Sequence, residues 1–137
     1  MSRFCFRCPL RWADMDAYGH VNNTEYLAYL EEARIALLFQ GAADAGVTTL
    51  LGQVVVVRHE IDYRRPLEFR PEPILIDTWV TGIRNTSFSL GYDVRDENTL
   101  YATAATVMAA YDAAAEATRP LSERERSWLE TLRDDEA

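Results

Sequence analysis

The sequence contains no lysine, only two cysteines and no apolar run that approaches the ~20 residues of a bilayer span. All 14 basic residues are arginine, which we interpret as a compositional bias of the source. Since 22 residues are acidic, the formal net charge is −8, which argues against nucleic acid and against an anionic membrane surface as the main partner. No charged-then-apolar leader opens the chain, so we expect a cytoplasmic protein.

The few cysteines and histidines argue against a metal or redox centre. Cys5 and Cys8 have C-x-x-C spacing, but a zinc site needs about four ligands and no second cysteine pair occurs. A redox pair of this spacing belongs at a helix start, whereas the surrounding residues indicate a strand. Residues three apart on a strand face opposite sides, so we interpret these as two unrelated cysteines and predict no metal site.

The 137 residues, 48% of them apolar, predict one domain with a buried core. The patterns indicate a strand over 3–11, a helix over 23–40 that Gly41 ends, strands over 53–64, 74–84, 87–94 and 100–112, and a short helix over 122–132. Alanines in 100–112 also allow a helix, but a turn signal before it favours a strand. Ser122-x-x-Glu125 predicts a capping box, and the acidic segment 134–136 a solvated end. One apolar helix with a largely antiparallel sheet indicates an α+β fold in which the sheet wraps the helix.

The densest polar cluster lies just before the apolar helix and comprises Asp14, Asp16, His20, Asn22 and Asn23. The first N–H groups of a helix lack intrahelical acceptors, and with the helix dipole they favour negative charge nearby. One short segment can therefore supply an oxyanion site together with a carboxylate base or nucleophile. Two other readings stay open on spacing alone: the aspartates are turn and cap residues, or they bind magnesium or calcium.

A resemblance to a known family covers nearly the whole chain. The signature is Arg11-Trp12-x-Asp14-x-Asp16-x-x-Gly19-His20-Val21-Asn22-Asn23-x-x-Tyr26-x-x-Tyr29-x-x-Glu32-Ala33-Arg34. It is similar to that of hotdog-fold acyl-CoA thioesterases, in the 4-hydroxybenzoyl-CoA thioesterase-like branch. Later segments also resemble this branch, namely Ile61-Asp62-Tyr63-x-x-Pro66-Leu67 and Thr86-Ser87-Phe88. The resemblance implies a single hotdog thioesterase domain over 1–137, with an antiparallel sheet around a long central helix.

The resemblance assigns the catalytic role to Asp16, as a nucleophile or as a general base on water. It places the oxyanion donor at the backbone N–H of Asn23, while Asp14 orients the loop. His20 is either a direct participant or a hydrogen-bonding loop residue. The substrate-binding candidates are Gly19, Asn22, Tyr26, His59, Arg84 and Ser87.

Arginine suits the phosphates of coenzyme A. Relatives of this type carry a basic cluster before the Ser-Phe pair, of which only Arg84 is present here. Arg64 and Arg65 are weaker candidates for the same contact.

The expected activity is hydrolysis of an acyl-CoA thioester to a carboxylic acid and free CoA, without a metal or an organic cofactor. The expected assembly is a homodimer or homotetramer in which sheets pair edge to edge and the site lies between protomers. Two alternatives stay open: a thioesterase for acyl-carrier-protein or polyketide intermediates, and a catalytically silent acyl-CoA-binding protein. A dehydratase is a weaker alternative, because its usual histidine–acid context is not found.

Overall fold

Antiparallel strands form a single curved sheet in the computed structural model, which describes residues 3–50 and 52–134. The strands are β1 (Phe4–Cys8), β2 (Val54–Tyr63), β3 (Ile74–Ile83), β4 (Ser87–Arg95), β5 (Leu100–Asp112) and the short β6 (Ala117–Thr118). Their order across the sheet is β1-β3-β4-β5-β2, and β6 pairs with the end of β5. Helix α1 (Glu25–Ala36) packs its apolar side into the sheet, where Leu30 and Ala33 are almost completely buried. The predicted α+β hotdog architecture is confirmed.

Alternation along β4 explains which face of the sheet is inside. Phe88, Leu90, Tyr92 and Val94 are each at most 1% exposed, because every second side chain points at the helix. The segment 100–112 is a strand, as predicted, and not a helix. Since it pairs with β4 on one side and β2 on the other, sheet hydrogen bonds outweigh the helix propensity of its alanines.

The prediction that Gly41 ends the central helix is wrong. The chain continues through a π-helical turn, Leu37–Gly41, into a last α-helical turn, α2 (Ala42–Asp44). A side chain at Gly41 would meet Leu37 Cδ1 at 3.2 Å and Trp128 Cζ2 at 3.5 Å, so the glycine serves close packing. The helical path ends before Gly46, whose φ of +77° suits the left-handed conformation of a helix terminus.

The C-terminal helix α3 (Glu123–Thr131) begins with the predicted capping box. The Ser122 hydroxyl accepts from the Glu125 N–H at 3.1 Å, and the Glu125 carboxylate accepts from the Ser122 N–H at 2.8 Å. The prediction of a solvated end is wrong for Asp134, which is 7% exposed and accepts a hydrogen bond from Arg3 Nε at 2.8 Å. Residues 135 and 136 lie outside the described part of the chain.

The two cysteines face opposite sides of β1, as predicted. Cys5 is exposed and Cys8 is buried, and both are free thiols. Burial, with the nearby negative charge of Glu32 and Asp14, raises the pKa of the Cys8 thiol to about 12.

Among the helices of the described residues, none is long and apolar enough to cross a membrane.

Strand β2 lies at one edge of the sheet, and among the described residues only β5 pairs with it. Its first half carries exposed apolar side chains: Val55 is 40%, Val56 42% and Val57 62% exposed. The register shifts between Val56 and Arg58, which marks a bulge at Val57. A long edge strand with an apolar surface is a template for pairing with another strand.

Candidate active site

A tight hairpin between β1 and α1 carries the predicted catalytic carboxylate. Met15 and Val21 form an isolated antiparallel bridge, and the Asp16 N–H donates to the His20 carbonyl at 2.8 Å. The Gly19 N–H donates to the Asp16 carbonyl at 3.1 Å, and Gly19 has a φ of +80°. This left-handed conformation explains the glycine, because a side chain there would strain the turn.

The carboxylate of Asp16 is held by one oxygen. Its Oδ1 accepts from the N–H groups of Tyr18 at 2.9 Å and His20 at 3.3 Å. No donor among residues 3–50 and 52–134 reaches Oδ2, and the residue is half-buried. The hairpin therefore orients the side chain and leaves one carboxylate oxygen open to a ligand.

Asp14 connects the hairpin to helix α1. Its side chain is buried, and it accepts from Arg11 at 2.8 Å and from the Tyr29 hydroxyl at 2.8 Å. The Asp14 carbonyl also accepts from the Asn22 N–H at 2.9 Å. Burial alone would raise the pKa of Asp14, but the hydrogen bonds from Arg11 and Tyr29 outweigh it and hold that pKa below its usual value. The ionised side chain thus ties the first arm of the hairpin to Tyr29 on α1, and the backbone carbonyl of Asp14 holds Asn22, at the end of the second arm.

The start of α1 presents an N–H group without an acceptor. The Asn22 side-chain oxygen accepts from the N–H and the hydroxyl of Thr24, each at 3.1 Å. The Glu25 N–H donates to the Asn22 carbonyl at 2.9 Å. By contrast, the Asn23 N–H has no hydrogen-bond acceptor within the described chain. The free N–H lies at the positive end of the helix dipole, where a developing oxyanion is stabilised.

The carbonyl group of Asn23 is held by Tyr63, at the end of β2. The Tyr63 hydroxyl donates to the Asn23 carbonyl at 2.9 Å. Its ring also meets that of Tyr26 edge to face, with 5.1 Å between centroids. Sequence reasoning missed this role, although the Tyr63-x-x-Pro66 pattern was a signal for it. The contact holds the end of the edge strand against the start of the helix.

These groups line one cavity of about 310 Å³. Its lining residues are Asp16, His20, Val21, Asn23, Tyr26, Tyr63, Arg64, Arg65 and Pro66. The structure therefore brings together four of the predicted site residues, namely Asp16, His20, Asn23 and Tyr26. Gly19 and Asn22 shape the same segment through the turn and the helix cap. An open carboxylate oxygen and a free N–H at one cavity suit attack on a carbonyl group.

Three predicted substrate-binding residues, His59, Arg84 and Ser87, lie away from this cavity. His59 contacts Thr106 through Nδ1 at 2.9 Å, and burial together with the Arg34 charge lowers its pKa. Ser87 pairs with Ala109, whereas Tyr63 pairs with Ala102, so Ser87 is at the opposite end of the sheet. Arg84 is beside Ser87, where its N–H donates to the Ser87 carbonyl at 2.7 Å. The chain by itself does not bring these residues to Asp16.

Within the described part of the chain, no three His, Cys, Asp or Glu side chains are placed so that they could hold a metal ion.

Comparison with known proteins gives one consistent family. The profile of the Thioesterase-like superfamily matches residues 10–129. The long-chain acyl-CoA thioesterase FadM of Escherichia coli (strain K12) is 42% identical over 57 residues, which are 42% of this chain and 43% of FadM. The matched segment thus spans less than half of that relative.

Solved structures of other proteins superpose on almost the full length of this chain. A thioesterase from Thermus thermophilus, crystallised with coenzyme A and Zn, has a TM-score of 0.80 and 26% identity, covering 97% of this chain and 94% of that one. A predicted thioesterase from Bacillus stearothermophilus has a TM-score of 0.82 and 19% identity, covering 97% and 98%. At this lower identity the likeness shows the fold alone.

Proposed function

Because the chain belongs to the thioesterase-like superfamily, we propose that it hydrolyses acyl-CoA thioesters to a carboxylic acid and free coenzyme A. The observation that carries the proposal is the pairing of the Asp16 carboxylate with the free Asn23 N–H at one cavity. The name of FadM and the coenzyme A in the Thermus structure support CoA as the carrier. The proposal treats residues 1–137 as a single hotdog thioesterase domain.

In the proposed reaction the thioester carbonyl oxygen accepts a hydrogen bond from the Asn23 N–H. This donor and the dipole of α1 stabilise the negative charge that develops on that oxygen during attack. Asp16 Oδ2 attacks the carbonyl carbon, the C–S bond breaks, and CoA departs as its thiolate. The acyl group is then joined to Asp16 as a mixed anhydride, which water hydrolyses to the carboxylic acid and free Asp16. In the alternative route Asp16 removes a proton from a water molecule, and that water attacks directly.

His20 lines the cavity and donates its backbone N–H to Asp16. In this proposal the backbone of His20 positions the carboxylate, and its imidazole forms part of the wall beside the reacting thioester. A direct proton-transfer role is the alternative that the same cavity position allows.

The activity is tested by incubating the protein with acetyl-, hexanoyl-, palmitoyl-, benzoyl- and 4-hydroxybenzoyl-CoA. Release of CoA is followed by chromatography, because thiol reagents would also report the exposed Cys5. We expect turnover of at least one ester at a rate that is linear with protein concentration. If every CoA ester is stable but an acyl-carrier-protein ester is cleaved, the proposal of CoA as the acyl carrier is wrong. If acyl-CoA binds without any hydrolysis, the protein is a silent binder.

We further propose that two protomers pair through the β2 edges. An antiparallel β2–β2 contact would bury the exposed Val55, Val56 and Val57 and complete the open hydrogen-bonding edge. It would also bring the Val54 end of one strand to the Tyr63 end of the other. Ser87 and the neighbouring Arg84 are at the same end of the sheet as Val54. In the dimer, Arg84 and Ser87 of the partner subunit would therefore lie near the cavity.

The pairing predicts that Val56→Asp converts a dimer into a monomer, because a charge on the apolar edge is desolvated when the strands meet. Sedimentation velocity measures the mass. The control is Leu100→Asp, which adds the same charge at a residue 37% exposed on β5, away from the edge. A monomeric wild type, or an unchanged mass for Val56→Asp, would contradict the proposed dimer.

A further inference from the structure

Tyr63 is the last residue of β2, and its hydroxyl donates to the Asn23 carbonyl at 2.9 Å. We propose that Tyr63 is a positioning residue, which sets the orientation of the Asn23 N–H that stabilises the oxyanion during thioester cleavage. This inference rests on the proposed hydrolase function and adds to it a residue that acts on the substrate only through the backbone of the helix start. Tyr63 does so from a strand that is 40 residues away in the sequence.

The peptide groups on either side of Asn23 are held by neighbours in the sequence. The Asn22 carbonyl, in the same peptide group as the Asn23 N–H, accepts from the Glu25 N–H at 2.9 Å. The next peptide group donates through the Thr24 N–H to the Asn22 side chain at 3.1 Å. The Thr24 hydroxyl, at the N-cap position, also donates to the Asn22 side chain, and within the described chain it caps no N–H of α1. Contacts within the turn therefore replace the usual cap, and Tyr63 adds one from a distant strand.

Tyr63 is suited to hold this turn because its own position is fixed twice. The N–H groups of the two residues that follow it both donate to the Tyr101 carbonyl, at 2.8 Å and 3.1 Å, which fixes the backbone at the end of β2. The ring of Tyr63 packs edge to face on that of Tyr26, which is 3% exposed. Backbone and ring thus determine where the hydroxyl lies before a substrate binds.

The hydrogen bond from Tyr63 affects both the geometry and the charge of the oxyanion site. The Asn23 carbonyl carries partial negative charge in the residue whose N–H is to stabilise an oxyanion. Because this carbonyl accepts from Tyr63, its orientation is fixed and its negative charge is partly offset. Burial raises the pKa of Tyr63, so the hydroxyl keeps the proton that it donates at neutral pH. The Asp16 carboxylate is held separately, by N–H groups of the hairpin, so its position does not depend on this contact.

The test is Tyr63→Phe, which removes the hydroxyl and keeps the ring against Tyr26. With the acyl-CoA that the wild type hydrolyses fastest, we expect kcat to fall about tenfold or more at a nearly unchanged KM, because a misaligned oxyanion donor weakens binding of the transition state and not of the ground state. The pH profile of kcat should keep its shape, since Tyr63 transfers no proton. The melting temperature should stay near that of the wild type, because one half-exposed hydrogen bond is lost. Tyr111→Phe is the matched control and should retain wild-type kcat, because Tyr111 lies on β5 beside β6 and does not line the cavity.

A second measurement needs no substrate. NMR of the backbone amides in the free protein should show a changed chemical shift and a lower order parameter for the Asn23 N–H in Tyr63→Phe, and neither change in Tyr111→Phe. If both values are the same in wild type and Tyr63→Phe, the proposal is overturned. Wild-type kcat in Tyr63→Phe, or a higher KM at normal kcat, would also overturn it, because Tyr63 would then not act on the oxyanion donor. If the wild type hydrolyses no thioester, the proposed function fails, and the Asn23 amide alone decides whether Tyr63 positions the helix start.

Discussion

The substitution Asp16→Asn is expected to lower kcat for thioester hydrolysis by about 10³-fold or more. Asparagine keeps the Oδ1 acceptor that receives the N–H groups of Tyr18 and His20, so the hairpin geometry is retained. It removes the negative charge from the open second oxygen, which both proposed routes require. We therefore expect a folded protein that still binds acyl-CoA and does not turn it over.

The measurement is kcat with the best CoA ester, together with the melting temperature and the dissociation constant of the ester for the variant. Asp44→Asn, at an exposed position of α2, removes the same charge away from the cavity and should retain wild-type kcat. A variant with near-normal kcat would reject Asp16 as the catalytic group. Incorporation of oxygen from isotope-labelled water into the Asp16 carboxylate, found by mass spectrometry of the peptide, would identify the nucleophilic route.

The largest stability effect is expected at Glu125, where Glu125→Gln should lower the free energy of unfolding by about 3 kcal/mol at pH 7. The Glu125 side chain is fully buried and accepts from both terminal nitrogens of Arg119, each at 2.9 Å. It also accepts from the Thr49 hydroxyl and from the Ser122 N–H. Glutamine preserves the shape but leaves the partly buried Arg119 without its counter-charge.

The effect should depend on pH in a defined direction. Burial alone would raise the pKa of Glu125, but hydrogen bonds from Arg119, Thr49 and Ser122 lower it to about 2, from 4.5. A pKa that is lower in the folded state stabilises the protein above the unfolded value and does so less as the pH falls towards the folded value. The difference between wild type and Glu125→Gln should therefore be full above pH 5 and shrink between pH 4.5 and pH 2.

Urea denaturation at pH 7 and at pH 3 measures this difference. Glu123→Gln is the matched control, because Glu123 is in the same first turn of α3 and is exposed. We expect that control to change the free energy of unfolding by less than about 0.5 kcal/mol. Equal stabilities of wild type and Glu125→Gln at pH 7, or a difference independent of pH, would contradict the role assigned to the buried ion pair.

The core of the fold was predictable from local patterns in the chain. The alternation over 87–94 marked a half-buried strand, and Ser122-x-x-Glu125 marked the start of α3. The proximity of Asp16, His20 and Asn23 was also predictable, because residues so near in sequence at a helix start cannot lie far apart. Whether these residues perform the chemistry is a prediction for the experiments above.

Contacts between distant segments were decided only by the tertiary structure. Tyr63 is 40 residues from Asn23, and it meets the helix start because β2 ends there in the register set by β5. Gly41 lies inside the helical path, and a side chain there would come within 3.5 Å of Trp128, which is 87 residues away in the sequence. Spacing along the sequence determines which side chains share a face of one strand or helix. Sheet order and register determine which of those faces meet, and so place Arg65 beside Asp16 and Arg84 at the opposite end.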